Sequence, residues 1–197
     1  MKKDFFKILL ILLLALTGCK KSSDSSSGGL DILGISDQTD DAGKIVADAN
    51  VDLKKIKVIY KNNETSVKEL EDAMNAQDVE KVKKIAGDLV NEINNGMALG
   101  ESAVAKIDDA ENLKINETYR NYLDLKKAAL RKQLDAFEFR RQSAILLRDG
   151  FGGKDKLEIE KAKAALKERE DNFKRLMATA KDMSEEANQI AKDSLKK

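Results

Sequence analysis

The chain has 197 residues, 36% of them charged and 5% aromatic, with a net charge of +1 and no histidine, proline or tryptophan. The lack of histidine excludes imidazole acid–base catalysis, His-containing triads and the Glu-x-x-His motif of di-iron bundles, and a single cysteine excludes an internal disulfide. Interspersed charges of both signs argue against nucleic acid as a partner, which calls for a basic face, and the length suits one domain.

The first eighteen residues read as an export leader. Lys2, Lys3 and Lys7 form a basic start, with Asp4 the one discordant charge, and Ile8 to Leu16 is an uninterrupted apolar run. The run falls short of the roughly 20 apolar residues a membrane-spanning helix needs. It ends at Leu16-Thr17-Gly18-Cys19 rather than at an A-x-A-like site. L-T-G-C resembles the lipobox of bacterial lipoproteins. The resemblance implies that Leu16, Thr17 and Gly18 are processing residues. Cys19 would receive a diacylglyceryl group on sulfur, the chain would be cut just before it, and the new amino terminus would be acylated, typically with palmitate. It therefore implies membrane lipid as a partner through Cys19. Two or more acyl chains, each buried methylene contributing about 0.8 kcal/mol, make such an anchor stable. Loss of residues 1–18 removes three lysines and one aspartate and takes the net charge from +1 to −1. Lys20 follows the cysteine with no Asp retention signal. The family's sorting rule then implies the outer membrane, facing the periplasm, if two membranes are present, and otherwise the outer face of the plasma membrane.

Residues 19–38 read as the lipidated cysteine and a flexible Ser/Gly-rich tether, with an r.m.s. span of roughly 24 Å and a full reach of about 65 Å. Leu30, Ile32, Leu33 and Ile35 are apolar for a linker, and packing over the end of the following domain or docking on a partner both account for them. Asp37, Thr39, Asp41 and Asp48 fall at Ca²⁺-loop spacing. Ala42 stands where that loop needs Gly, and Asp48 where it needs Glu, so no metal site is assigned.

Residues 39–197 carry four stretches of helical periodicity, at about 39–75, 78–108, 116–148 and 155–195. In the first, Val46, Ala49, Leu53, Ile56, Tyr60, Asn63, Val67, Leu70 and Met74 alternate steps of three and four, a heptad seam with one polar position. Asn75-Ala76-Gln77 reads as a tight turn and Asp78 as the next N-cap. The second seam is Val79, Val82, Ala86, Leu89, Ile93, Gly96, Gly100, Ala103 and Ile107. Its two glycines imply close approach of a neighbour, a bend or a pocket. In the third helix Tyr119, Leu123, Leu130, Phe137 and Ala144 keep one phase, but the complementary positions are Lys126, Gln133 and Arg140. Buried charges would need partners and a large desolvation cost, so these three are expected at the rim with their stems packed. The alternative is a polar binding channel. Asp149-Gly150-Phe151-Gly152-Gly153-Lys154 is a loop, with Phe151 either the candidate partner contact or a plug folded onto the core; it lacks dinucleotide- and phosphate-loop spacing. Asp155 and Glu158 open the last helix, whose seam runs Ile159, Ala162, Leu166, Arg169, Phe173, Leu176, Ala180, Met183, Ala187 and Ile190. Glu64–Lys68, Glu80–Lys84 and Asp171–Arg175 read as exposed i,i+4 pairs.

These features predict an all-α fold, an antiparallel up-down-up-down four-helix bundle with coiled-coil-like heptad packing. Short turns bring the tether and the last helix's end to one side, with Lys192, Lys196 and Lys197 near the headgroups. No catalytic residue set, cofactor or metal site is expected. The function expected is a lipid-anchored, non-enzymatic scaffold or interaction protein of the bacterial envelope, its partner an envelope protein or the cell wall. A second reading is a ligand-binding or sensory bundle holding a small molecule near Gly96, Gly100, Lys126, Gln133 and Arg140. A third, covalent cell-wall attachment, rests on a terminal Lys197 that resembles that of the murein lipoprotein, and the hairpin topology argues against it.

Overall fold

A computed structural model of the chain describes residues 37–152 and 155–194. Leu16, Thr17, Gly18, Cys19, the Leu30–Ile35 segment, Lys196 and Lys197 lie outside the described residues. The described chain is helical except at its connections: α1 (Thr39–Asn75), α2 (Val79–Glu111), α3 (Glu117–Gly150) and α4 (Lys156–Ser194). At 1.5 Å per residue they are about 50–58 Å long. None of them is long and apolar enough to cross a membrane.

Local chemistry sets each boundary. Asp37 Oδ1 accepts the Thr39 backbone N–H at 2.9 Å, and Asp40 and Asp41 lie in the first turn of the helix. The Asp78 carboxylate accepts from the Lys81 N–H (3.0 Å), and the Asn116 side chain accepts from the Tyr119 N–H (2.9 Å). Both satisfy first-turn donors that have no partner inside the helix. Asp155 caps Glu158 N–H in the same way at 2.7 Å. The Glu158 carboxylate accepts the Gly152 N–H at 2.5 Å and braces the loop.

Neighbouring helices run antiparallel. Asp52 on α1 meets Ser102 and Lys106 on α2, and Asn63 meets Glu92 nearer the opposite end. Lys127 on α3 bonds Asp108 on α2, and Arg140 on α3 bonds Glu170 on α4. Gln38 and Thr39, at the start of α1, are stitched to Lys114 and Asn116 in the α2–α3 connection. Lys126, near the start of α3, reaches Asn188 near the end of α4. The start of α1 and the end of α4 therefore share one end of an up-down four-helix bundle.

The α1 and α2 seams are buried as the heptads predict, with Val67 and Val79 half-covered. In α4 the outcome differs. Ile159, Leu166, Phe173, Met177, Ala180, Ser184 and Ala187 are buried, whereas Ala162, Arg169, Leu176, Met183 and Ile190 are half-exposed. The helix turns Met177 and Ser184 inward at the expense of half its predicted seam.

The α1–α2 turn has the geometry of a Schellman motif. The Asp78 N–H donates to Ala73 O and the Gln77 N–H to Met74 O, with Gln77 at φ 57°. An L side chain pays roughly 1–2 kcal/mol in this region and glycine does not. Allowing for glycine's looser unfolded state, Gln77→Gly is expected to raise unfolding stability by about 0.5–1 kcal/mol. A urea melt in which the variant's midpoint is equal or lower would show that the turn is unstrained.

Candidate functional site

The polar residues that sequence reasoning placed at the rim of α3 are in the core. Lys126, Gln133 and Arg140 are all buried. Seven-residue spacing puts them in one row on the inner side of α3, and each end of the row finds its partners on α4.

Arg140 is the centre of this arrangement, with a side chain 4% exposed. Its Nε donates to Glu170 Oε2 at 2.9 Å, and Nη2 donates to Glu170 Oε1 at 2.7 Å and to Glu64 Oε1 at 2.6 Å. The bidentate fork onto Glu170 is the strongest geometry a guanidinium makes with a carboxylate. Glu64, expected to pair with Lys68 on an exposed face, reaches Arg140 instead from a partly exposed position at the rim. Desolvation pushes the Arg140 pKa down, and the bonds and charges of Glu170 and Glu64 outweigh it, holding the group above its ordinary value. The guanidinium also lies 3.6 Å from the centroid of Phe173 and 5.8 Å from that of Tyr60. Tyr60, Phe137 and Phe173 pack with ring centroids 6.1–6.2 Å apart, so α1, α3 and α4 each contribute a ring. Burial, then Glu64, raises the Tyr60 phenol pKa, which keeps it neutral.

Lys126 is buried on different terms. Its ammonium donates to Ser184 Oγ and Asn188 Oδ1, both at 2.8 Å, and faces the Tyr122 ring at 5.7 Å. Its acceptors are neutral oxygens, so burial lowers its pKa from 10.5 to about 8. Asp52 is the reverse case. The Lys106 hydrogen bond, at 2.6 Å and aided by Ser102, holds its carboxyl below the usual range against desolvation. Buried Asn63 donates to Glu92 and to Ile59 O, both at 2.9 Å.

Gly96 and Gly100 do not share a pocket with these groups. A Cβ on Gly96 would meet Ile59 of α1 at 3.4 Å, and one on Gly100 would lie 2.3 Å from Leu134 Cδ2 of α3. The two glycines open toward different helices, and a neighbouring side chain, not backbone, takes the space beside each. Phe151 is 2% exposed and turned into the core, where covering its ring contributes about 1.5–3 kcal/mol. Of the two readings of this ring, tip contact and core plug, the structure shows the plug.

Phe151 also forms part of a surface feature that sequence reasoning missed. Between the last turns of α3 and the first turns of α4 lies a groove of about 280 Å³, lined by Leu146, Leu147, Phe151, Ala162, Ala165 and Leu166. Lys161 and Arg169 border it. The sequence signal was present in the small side chains of Ala162 and Ala165 opposite Leu146. A second groove, of about 370 Å³, separates α1 from α4 around Met74 and Leu166 and has a mixed-charge lining. Among the described residues no group of three or more acidic or cysteine side chains is placed to hold a metal ion. Compared with protein-family models, curated proteins and solved structures, the chain matches none of them.

The Arg140 pairing makes a sharp prediction. Arg140→Met leaves Glu170 buried without its cation and is expected to cost about 3–5 kcal/mol. Adding Glu170→Leu should recover most of that loss, because removing both charges removes the desolvation cost as well. Urea denaturation of the single and double variants checks this, and an undiminished loss in the double variant would contradict it.

Lys126 predicts a pH dependence whose sign follows from its lowered pKa. Above about 10.5 the amine is neutral in both states. As pH falls, the unfolded chain protonates first and the native chain only near 8. The unfolded state therefore holds more protons across that window, and stability rises with pH from about 8 to 10.5, by roughly 2–4 kcal/mol. The wild-type stability minus that of Lys126→Met should show this rise across the window and be flat below it. A difference flat throughout would place a counter-charge beside the amine.

Proposed function

We propose that the chain is a lipid-anchored, non-enzymatic scaffold of the bacterial envelope, acylated at Cys19 and presenting its helical bundle to a partner protein or the cell wall. The observation that carries this reading is Leu16-Thr17-Gly18-Cys19 directly after the apolar run Ile8–Leu16. The fold supports it in two ways. The start of α1 lies at the end where α4 finishes, so a tether from Cys19 joins the bundle at that end and the opposite tip lies some 50 Å from the point of attachment. The buried polar groups Asp52, Asn63, Lys126 and Arg140 are committed to bonds between helices, which suits a stiff spacer. The ligand-binding reading has less behind it, because Ile59 and Leu134 occupy the space beside Gly96 and Gly100.

In cells fed labelled palmitate, the wild-type chain is expected to carry the label and to fractionate with membranes. Cys19→Ser should lose the label and remain unprocessed at the leader. In-cell crosslinking of the wild type should yield discrete adducts with an envelope component. Unlabelled wild-type protein in the cytosol overturns the anchor. A labelled protein that gives no adduct overturns the scaffold.

A further inference from the structure

The distal groove between α3 and α4 has the makings of a docking site. Its lining is almost wholly apolar, yet it opens on the surface, and Leu146 on its wall is 50% exposed. Exposed leucine next to an apolar groove is the feature that marks interaction surfaces on soluble domains. The groove follows the helix axes: its α4 wall runs from Glu158 to Arg169, about three turns. One further helix laid along it would present side chains at i, i+3/i+4 and i+7 to that wall, the usual helix-in-groove pattern.

Charge then narrows the occupant. Lys161 and Arg169 stand on the α4 side of the groove eight residues apart, about 12 Å along the axis. Lys161 makes no ion pair among the described residues, and Arg169 has only a long bond of 3.4 Å to the Ala165 carbonyl. The one acid on the wall, Glu158, is committed to the Gly152 N–H. The groove is thus an apolar strip bracketed by two cations, neither within ion-pair distance of a described carboxylate. Two turns of a docked helix span the same 12 Å.

We propose that this groove receives a short amphipathic helix of a partner protein, with an apolar stripe facing Leu146, Ala162 and Leu166 and carboxylates about two turns apart facing Lys161 and Arg169. The inference rests on the scaffold reading for its biological setting and names the partner's chemistry. This chain's own Leu30–Ile35 segment is no candidate in cis. Seven residues before Asp37 reach about 25 Å, and the groove lies at the opposite end of a bundle 50 Å or more long.

The test uses the purified full chain and a synthetic helix of about eighteen residues, with leucines at every third and fourth position and glutamates elsewhere, against the same peptide with lysine for glutamate. Fluorescence anisotropy is expected to show saturable binding of the acidic peptide at least tenfold tighter than of the basic one. Leu146→Glu should abolish binding, and Lys161→Glu with Arg169→Glu should invert the preference. Should Leu146→Glu fail to fold by circular dichroism, the charge-reversal pair, at an exposed and a half-buried position, decides. No saturable binding, equal binding of both peptides, or binding indifferent to these variants overturns the proposal. So does a dimer of the chain alone that the peptide does not dissociate, since a second copy then fills the groove. Peptide binding that fails while envelope adducts persist removes the groove and keeps the scaffold. Peptide binding that holds while palmitate labelling and adducts are absent does the reverse.

Discussion

A guanidinium cannot sit unpaired in a dry core, and most of this bundle's geometry follows from placing one there. Moving a charge of that size out of water costs several kcal/mol even after relaxation, so Arg140 is tolerable only where carboxylates meet it with well-aligned bonds. The two that do so come from other helices, Glu170 on α4 and Glu64 on α1. A one-residue slip along either helix would swing its carboxylate by about 100° and leave the charge bare. The Arg140 cluster therefore fixes the relative register of α1, α3 and α4 far more tightly than apolar contacts do. The rings of Phe173 and Tyr60 cover it, so the charge is paired through Nε and Nη2 while the buried Nη1 has no hydrogen-bond partner.

The other polar core groups repeat the device along the axis. Heptad seams of Leu, Ile, Val and Ala tolerate a slide of seven residues, because the same pattern recurs. Asp52 with Lys106 and Ser102, Asn63 with Glu92, and Lys126 with Ser184 each allow one register only. Their agreement is visible in the numbering. Lys126 and Arg140 are fourteen residues apart on α3, and their partners Ser184 and Glu170 are fourteen apart on α4, in reverse order. Both pairs form in the same antiparallel alignment. Lys126 differs from Arg140 in having neutral partners, so its contribution depends on the proton it carries and Arg140's does not.

The sequence showed the helices, the turn at Asn75–Gln77, the N-caps at Asp78 and Asp155, and the seams of α1 and α2, since all of these are local or periodic signals. The interior of α3 was not legible, for a physical reason. Lysine and arginine are rarely buried, so Lys126, Gln133 and Arg140 on a seam point to the rim unless their partners are known. The partners of Lys126 and Arg140 lie 30 to 76 residues away, beyond any i,i+4 search. Glu64 has a nearer apparent mate in Lys68, which is why a helix-by-helix reading assigns it to solvent. The clue that could have found the row was its strict spacing of seven, matched by Glu170, Met177 and Ser184 on α4. Phe151 was left between a tip contact and a core plug by its glycine neighbours. Composition says that the loop is permissive, but the gain from covering an aromatic ring decides where the ring goes.

The half-buried line on α4 follows from the same polar pairing. Glu170 and Ser184 must face α3's cations, and rotating α4 to bring them inward carries Met177 with them. The rotation lifts Ala162, Arg169, Leu176, Met183 and Ile190 toward the edge of the α3–α4 seam, where they are only half covered. Near the tip, the residues at that edge are Ala162 and Ala165, too small to fill the space up to Leu146, and the apolar groove is what remains. The core charges and the surface groove are thus two ends of one constraint. A bundle with an all-apolar α3 seam could seat α4 on its full heptad stripe, and closing the seam in that way would erase the groove.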